Sequence, residues 1–92
     1  MKVVINACYG GFGLSEKAYK AMGIPWDGYG YQFGDDSKRS DERLIKVVEE
    51  LGEEANGFAA KLKIVELPDG INFEIDDYDG MESIHEVHRS WR

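Results

Sequence analysis

The sequence is poor in the features that cross-link a chain, divide it or anchor it in a membrane. Its one cysteine, Cys8, excludes an intrachain disulfide and a zinc site built from several cysteines. With two prolines and no low-complexity tract it lacks an interdomain linker, so residues 1–92 are predicted to form a single domain. No run approaches the roughly twenty apolar residues of a membrane span, and no secretory leader precedes the first predicted strand. These features predict a cytoplasmic protein without a membrane segment.

Positive charge is also scarce, since 11 Lys and Arg face 18 Asp and Glu and leave a net charge of −7. Such a field repels the phosphate backbone, so direct binding of duplex nucleic acid is not expected. The acidic surface could instead imitate DNA for a nucleic-acid-binding protein, although a solvated acidic face is the commoner explanation. A local basic pocket also remains open, because Arg39, Arg43 and Arg89 lie near candidate loops or helix ends.

The most distinctive stretch runs from Val3 to Lys17 and is predicted to be a strand, a glycine-rich loop and the start of a helix capped by Ser15. Gly10, Gly11 and Gly13 allow the backbone to approach a ligand closely, and a helix N-terminus favours phosphate. The spacing fits neither the dinucleotide fingerprint nor the P-loop. A phosphate-binding loop and a tight turn that only packs Tyr9 and Phe12 therefore both remain open.

Aromatic residues alternate with glycines between residues 24 and 36. Trp26, Tyr29, Tyr31 and Phe33 occupy a segment that Pro25 keeps from forming a continuous helix. Such a loop suggests a lid or contact surface, and the alternative is that Trp26 and Phe33 cover the edge of the core.

The remaining patterns predict an α+β fold in which a small antiparallel sheet packs on one main amphipathic helix and one or two shorter helices. The predicted elements are strands at 2–8, 59–67 and 71–77, a short helix from Glu16 to Met22 and a main helix at 41–55. Pro68-Asp69-Gly70 is predicted to join the second and third strands as a hairpin.

The final segment, 81–91, is ambiguous. Asp79 and Glu82 resemble a capping box, and Met81 and Ile84 lie at helical spacing, which predicts a helix. Asp79-Gly80 is equally typical of a type I′ hairpin turn, which would make the segment a strand.

No set of residues with enzymatic chemistry converges, so catalysis is not the leading hypothesis. His85 and His88 with Glu82 could ligate a metal in a helix, but the zinc-protease spacing is absent. Cys8 is more simply explained as a small hydrophobic residue than as a nucleophile. Asp76, Asp77 and Asp79 could hold a divalent cation, but the sequence lacks the later glutamate of a calcium-binding loop. No metal and no cofactor are predicted.

Most of the chain resembles a family of small uncharacterised proteins encoded by bacteriophages and prophages. The segments that carry the resemblance are Lys2-Val3-Val4-Ile5-Asn6-Ala7-Cys8-Tyr9-Gly10-Gly11-Phe12-Gly13-Leu14-Ser15, Val47-Val48-Glu49-Glu50-Leu51-Gly52, Lys61-Leu62-Lys63-Ile64-Val65-Glu66, Tyr78-Asp79-Gly80 and Val87-His88-Arg89-Ser90-Trp91. The resemblance brings no established activity. It implies a context in which small acidic phage products act against host defences.

Two functions are predicted from these observations. The first is sequestration of a small phosphorylated ligand, such as a cyclic nucleotide or an ADP-ribose derivative, by a homo-oligomer. Its predicted ligand-binding residues are Tyr9, Gly10, Gly11, Phe12, Gly13, Ser15, Trp26, Tyr29, Tyr31, Arg39, Arg43 and Arg89. The second is a protein-interaction inhibitor that caps a host protein with its acidic helix face and exposed aromatic residues.

Overall fold

The computed structural model describes residues 1–87, which fold into two antiparallel strand pairs and two α-helices. The predicted α+β class is confirmed. In chain order the elements are β1 (Lys2–Asn6), α1 (Glu16–Met22), α2 (Glu42–Leu51), β2 (Leu62–Glu66), β3 (Phe73–Tyr78) and β4 (Met81–Glu86). Short 3₁₀ turns occupy Asp36–Lys38 and Gly52–Ala55. No helix in the described part of the chain is long and apolar enough to cross a membrane.

The first sheet pairs β1 with β2 from Lys2↔Glu66 to Asn6↔Leu62. Val3, Val4 and Ile5 are buried, as expected of a β-branched run in the interior. The other edge of β1 is not free, because the backbone N–H of Val4 donates to the carbonyl of Arg39 at 2.9 Å. β1 is therefore a central element although its sheet has two strands.

Both helices begin and end where local chemistry favours it. The Ser15 hydroxyl accepts the N–H of Ala18 at the start of α1, as predicted, and Gly23 ends α1 in the left-handed conformation, so α1 has the predicted bounds. Asp41 caps α2 by accepting the N–H of Arg43. The predicted 41–55 helix is shorter than expected, because Gly52 adopts φ 58° and ψ −128° and a 3₁₀ turn follows.

The core lies between the first sheet and the helices. Tyr19 and Leu14 are fully buried there with Leu44 and Val4, and Phe33 closes one side. This arrangement confirms the predicted apolar stripe of α2, because Leu44, Val47 and Val48 all face inward.

The predicted hairpin between the second and third strands is wrong, because β2 pairs with β1 and β3 pairs with β4. The chain start holds the end of β2 in place, since the Leu67 N–H donates to the Met1 carbonyl at 2.7 Å. The Met1 ammonium also binds Asp69 within the predicted turn, at 2.8 Å. The Pro-Asp-Gly segment therefore connects two separate sheets.

The predicted helix over 81–91 is also wrong where the structure describes it, because Met81–Glu86 is strand β4. Asp79 and Gly80 have φ values of 52° and 89°, as the type I′ turn of the alternative interpretation requires. Ile84 lies directly opposite Ile75 across the hairpin, and such a cross-strand pair outweighs the weak helical spacing. The rest of the predicted helix, from residue 88 onward, lies outside the described residues.

Candidate functional site

The glycine loop packs its backbone tightly against other segments. A Cβ atom at Gly10 would lie 1.7 Å from the carbonyl oxygen of Ala59, and one at Gly80 would lie 2.5 Å from that of Tyr9. The N–H of Gly57 donates to the Gly13 carbonyl at 2.9 Å. These glycines therefore serve close contacts between backbones. The predicted tight turn that packs Tyr9 and Phe12 is only partly matched, because Phe12 is buried but Tyr9 is 62% exposed.

The hydrogen-bond donors that follow the loop are used within the protein. The N–H of Leu14 donates to the Gly30 carbonyl at 2.9 Å, and that of Ser15 donates to the Ala55 carbonyl at 3.0 Å. The Ser15 hydroxyl, besides capping α1, donates to the carbonyl of Glu54 at 2.6 Å. These groups are not directed at a shared anion position, so this geometry does not favour the predicted phosphate-binding role of Gly13 and Ser15.

Arg39 was predicted to bind ligand, but it lies in the interior. Its side chain is 3% exposed and forms a two-point ion pair with Glu82, with N···O distances of 2.6 and 2.8 Å. It also donates to the carbonyls of Val4, Phe33 and Gly34 at 2.8 to 3.2 Å. These contacts satisfy the guanidinium, so Arg39 is excluded from a surface site.

Phe12 was predicted as a stacking surface, and it too is buried. The Arg39 guanidinium carbon lies 3.8 Å from the centroid of the Phe12 ring. This cation–π contact stabilises the core, and it leaves neither side chain free for a ligand.

Sequence reasoning missed Glu82 and Asn6 as the residues that join the β3–β4 hairpin to β1. Glu82 accepts the backbone N–H of Asn6 at 2.8 Å in addition to the Arg39 ion pair. The buried Asn6 amide donates to the carbonyls of Cys8 and Gly80, at 2.6 and 2.7 Å. A polar residue that ends an apolar strand was the available sequence signal for Asn6.

Tyr19 organises the loop that follows α1. Its buried hydroxyl donates to Asp27 at 2.9 Å and accepts the N–H of Gln32 at 3.0 Å. Burial raises the pKa of Tyr19 to about 12, and the Asp27 carboxylate adds to this effect. Asp27 in turn accepts the N–H groups of Gly30 and Tyr29, and these bonds lower the pKa of Asp27.

Five exposed aromatic side chains come from segments that meet at the glycine loop. We call Tyr9, Tyr29, Tyr31, Phe58 and Tyr78 the loop aromatics; they are 62% to fully exposed. The Tyr31 ring lies 3.3 Å from the position of a Cβ at Gly13, and it stacks on the Tyr29 ring with centroids 6.1 Å apart.

The other loop aromatics are connected to the loop through the chain. Phe58 lies between Gly57 and Ala59, which contact the loop at Gly13 and Gly10 respectively. Tyr78 precedes the turn whose Gly80 contacts Tyr9. The tight glycine contacts thus bring segments that are distant in sequence to one region of the molecule.

The remaining predicted ligand residues do not join this region in the structure. Trp26 is 38% exposed and packs edge-on against the Tyr19 ring, with centroids 5.0 Å apart. Arg43 lies on α2, where it lines a cavity beside α1. Arg89 lies outside the described residues.

The residues considered for catalysis or metal binding are separated or engaged elsewhere. Glu82 is occupied by Arg39, while the His85 ring contacts Asp76 and Glu74 at 2.6 and 3.1 Å. Within residues 1–87, no group of three or more His, Cys, Asp or Glu side chains has a metal-binding arrangement. The Cys8 thiol lies 3.1 Å from the Ala59 carbonyl, as a weak donor.

The β3–β4 hairpin is strongly acidic. Residues 73–86 contain six Asp or Glu and no Lys or Arg. Glu82 is neutralised by Arg39, and the other carboxylates of the hairpin are exposed. Asp77 and Asp79 flank Tyr78, whereas Glu74 and Glu86 lie at the opposite end of the hairpin. The site therefore combines exposed aromatic surface with negative charge.

Comparison of the chain with protein-family models, curated proteins and solved structures finds no match in any of the three.

Proposed function

We propose that this protein is a non-catalytic binding protein that docks on a basic surface of another protein through the loop aromatics. The proposal is carried by one observation, which is that five exposed tyrosine and phenylalanine side chains come from segments that meet at the glycine loop. Tyrosine and other aromatic residues dominate protein-binding hot spots, because they bury a large area with few rotatable bonds.

Charge supports the choice of a basic partner. The whole chain carries a net charge of −7, and the acidic hairpin adjoins the loop aromatics through Tyr78 and Gly80. An acidic surface steers a basic partner and repels an acidic one. A host protein inhibited during phage infection would be such a partner, and this biological role is part of the proposal.

The proposal is tested with a variant that combines Tyr9→Ser, Tyr31→Ser and Phe58→Ser. A partner is first captured from the native cell by the immobilised protein, identified and purified, and its affinity is then titrated at low and high salt. Truncation of one hot-spot residue costs about 2 kcal/mol, or roughly 30-fold in affinity, so the triple variant should lose detectable binding.

The matched control combines Lys63→Ser, Glu66→Ser and Asn72→Ser, which are exposed positions away from the loop. This control should bind like the wild type. Equal affinity of the two triple variants would remove the loop aromatics from the interface, and affinity that does not fall with salt would remove the charge argument.

A second candidate function is sequestration of a small phosphorylated ligand, such as a nucleotide. The supporting observation is that Arg43, unlike Arg39, is exposed and lines a cavity together with Lys46. A thermal-shift screen with cyclic nucleotides and ADP-ribose derivatives tests it, since a ligand at 100 times its dissociation constant adds about 2.7 kcal/mol. Recovery of the bound ligand unchanged distinguishes sequestration from turnover.

A further inference from the structure

The groove between α1 and α2 is a cavity of about 330 Å³ on the face of α2 that looks toward the end of α1. Met22, Val47 and Leu51 supply apolar surface to its lining. Small-molecule sites usually begin at about 300 Å³ and combine apolar walls with a few polar groups. The groove is therefore large enough for a small ligand and offers it apolar contact.

Two cations, Arg43 and Lys46, line the same groove, although the whole chain has a net charge of −7. Arg43 is held over the ring of Phe33, with its guanidinium carbon 5.6 Å from the ring centroid. The two hydrogen bonds from Arg43 to Asp41 are both 3.3 Å long, and the Arg43 side chain is 61% exposed. This ion pair therefore contributes little to stability, and the guanidinium keeps N–H donors for a ligand. Lys46 lies one turn further along α2.

We propose that this groove binds a small anion that also carries an aromatic or apolar group. Arg43 and Lys46 would hold the phosphate or carboxylate, and the apolar lining of Met22, Val47 and Leu51 would contact the apolar part. The inference rests on the second candidate function, and it moves the ligand from the glycine loop to α2.

Glu50 also lines the groove, four residues after Lys46. Its carboxylate opposes an anionic ligand, so the site discriminates against highly charged ligands and favours those with one anionic group. Substitutions at the two positions should therefore have opposite effects on affinity. Glu50→Gln should strengthen binding of the anion, and Arg43→Gln should weaken it.

The three methionines make a direct test possible. Met22 lies in the groove, Met1 lines a neighbouring cavity and Met81 lies in the β3–β4 hairpin. The protein is labelled with ¹³C at the methionine methyl groups and titrated with AMP, adenosine and inorganic phosphate, while the methyl resonances are followed by NMR. AMP should move the Met22 resonance, whereas Met81 should stay unchanged.

Adenosine and phosphate should each bind more weakly than AMP. Adenosine lacks the anionic group that the two cations would hold, and phosphate lacks the aromatic group that the apolar lining would contact. Arg43→Gln should lower the affinity for AMP roughly tenfold or more, as expected when a charge-assisted hydrogen bond is lost. Glu50→Gln should raise the affinity. Lys63→Gln, which removes a cation from the exposed side of β2, is the matched control and should leave the affinity unchanged.

The outcomes separate the inference from the function on which it rests. Equal AMP affinity in the wild type and in Arg43→Gln overturns the proposed site. A phosphorylated ligand that raises the melting temperature without moving Met22 overturns the groove but leaves sequestration standing elsewhere on the protein. If none of the screened ligands binds, both the site and the second candidate function are overturned.

Discussion

At the scale of single residues, the Arg39–Glu82 pair shows why a chemically attractive residue can be structural. An arginine near a candidate loop is a reasonable ligand candidate, but the partner of Arg39 is 43 positions away in the sequence. The sequence pattern also places Glu82 in a helix, whereas the structure places it in β4. No local pattern reveals such a pair, because it depends on how the hairpin packs on β1.

Glu82→Gln should destabilise the protein by about 3–5 kcal/mol, because it leaves the buried Arg39 charge without its counter-ion. Urea unfolding followed by tryptophan fluorescence measures this. Glu86→Gln, on the exposed part of the same strand, is the control and should change stability by less than about 0.5 kcal/mol. Similar unfolding midpoints for the two variants would contradict the role given to the pair.

Tyr19 predicts a dependence of stability on alkaline pH. Its pKa is raised from 10.0 to about 12 in the folded protein, so the unfolded chain loses this proton first. The stabilisation that the protonated Tyr19 hydroxyl gives the folded state is therefore fully present below pH 10. It is lost as the pH rises from 10 to about 12. The difference in unfolding free energy between wild type and Tyr19→Phe should shrink over this range. A constant difference would contradict the assignment.

At the scale of elements, local chemistry predicted α1, the start of α2 and the first strand well, although the predicted end of α2 is wrong, as is the predicted helix over 81–91 where the structure describes it. The capping by Ser15, the stop at Gly23 and the buried stripe of α2 follow from neighbouring residues alone. Strand pairing was predicted less well, because β1 and β2 are joined by contacts between residues 2–6 and 62–66. The turn at Asp79-Gly80 was a better guide than the apolar spacing of Met81 and Ile84.

The glycine loop allows a prediction about stability that depends on packing and not on backbone strain. Gly10→Ala should destabilise the protein by more than about 2 kcal/mol, because its Cβ would overlap the Ala59 carbonyl. Gly70→Ala is the comparison: its φ of 82° is strained for alanine, but no atom lies within 4 Å of the added Cβ. Unfolding experiments that give Gly10→Ala the smaller cost would contradict the tight contact.

At the scale of the whole molecule, net charge separates two kinds of association. The homo-oligomer named in the first predicted function stays a prediction. Two copies of a chain with a net charge of −7 repel each other, so self-association should strengthen as salt screens that repulsion. Binding to a basic partner should weaken with salt. Sedimentation equilibrium from low to high salt measures the first, and self-association that weakens with salt would contradict the charge argument.

If the loop aromatics contact a partner protein, photo-cross-linking in the native cell should capture that contact. A benzophenone amino acid is placed at the fully exposed Phe58, and at Asp69 as an exposed control away from the loop. Position 58 should give a discrete cross-linked adduct, and position 69 should give none. No adduct at position 58, or the same adducts at both positions, would contradict the proposed contact.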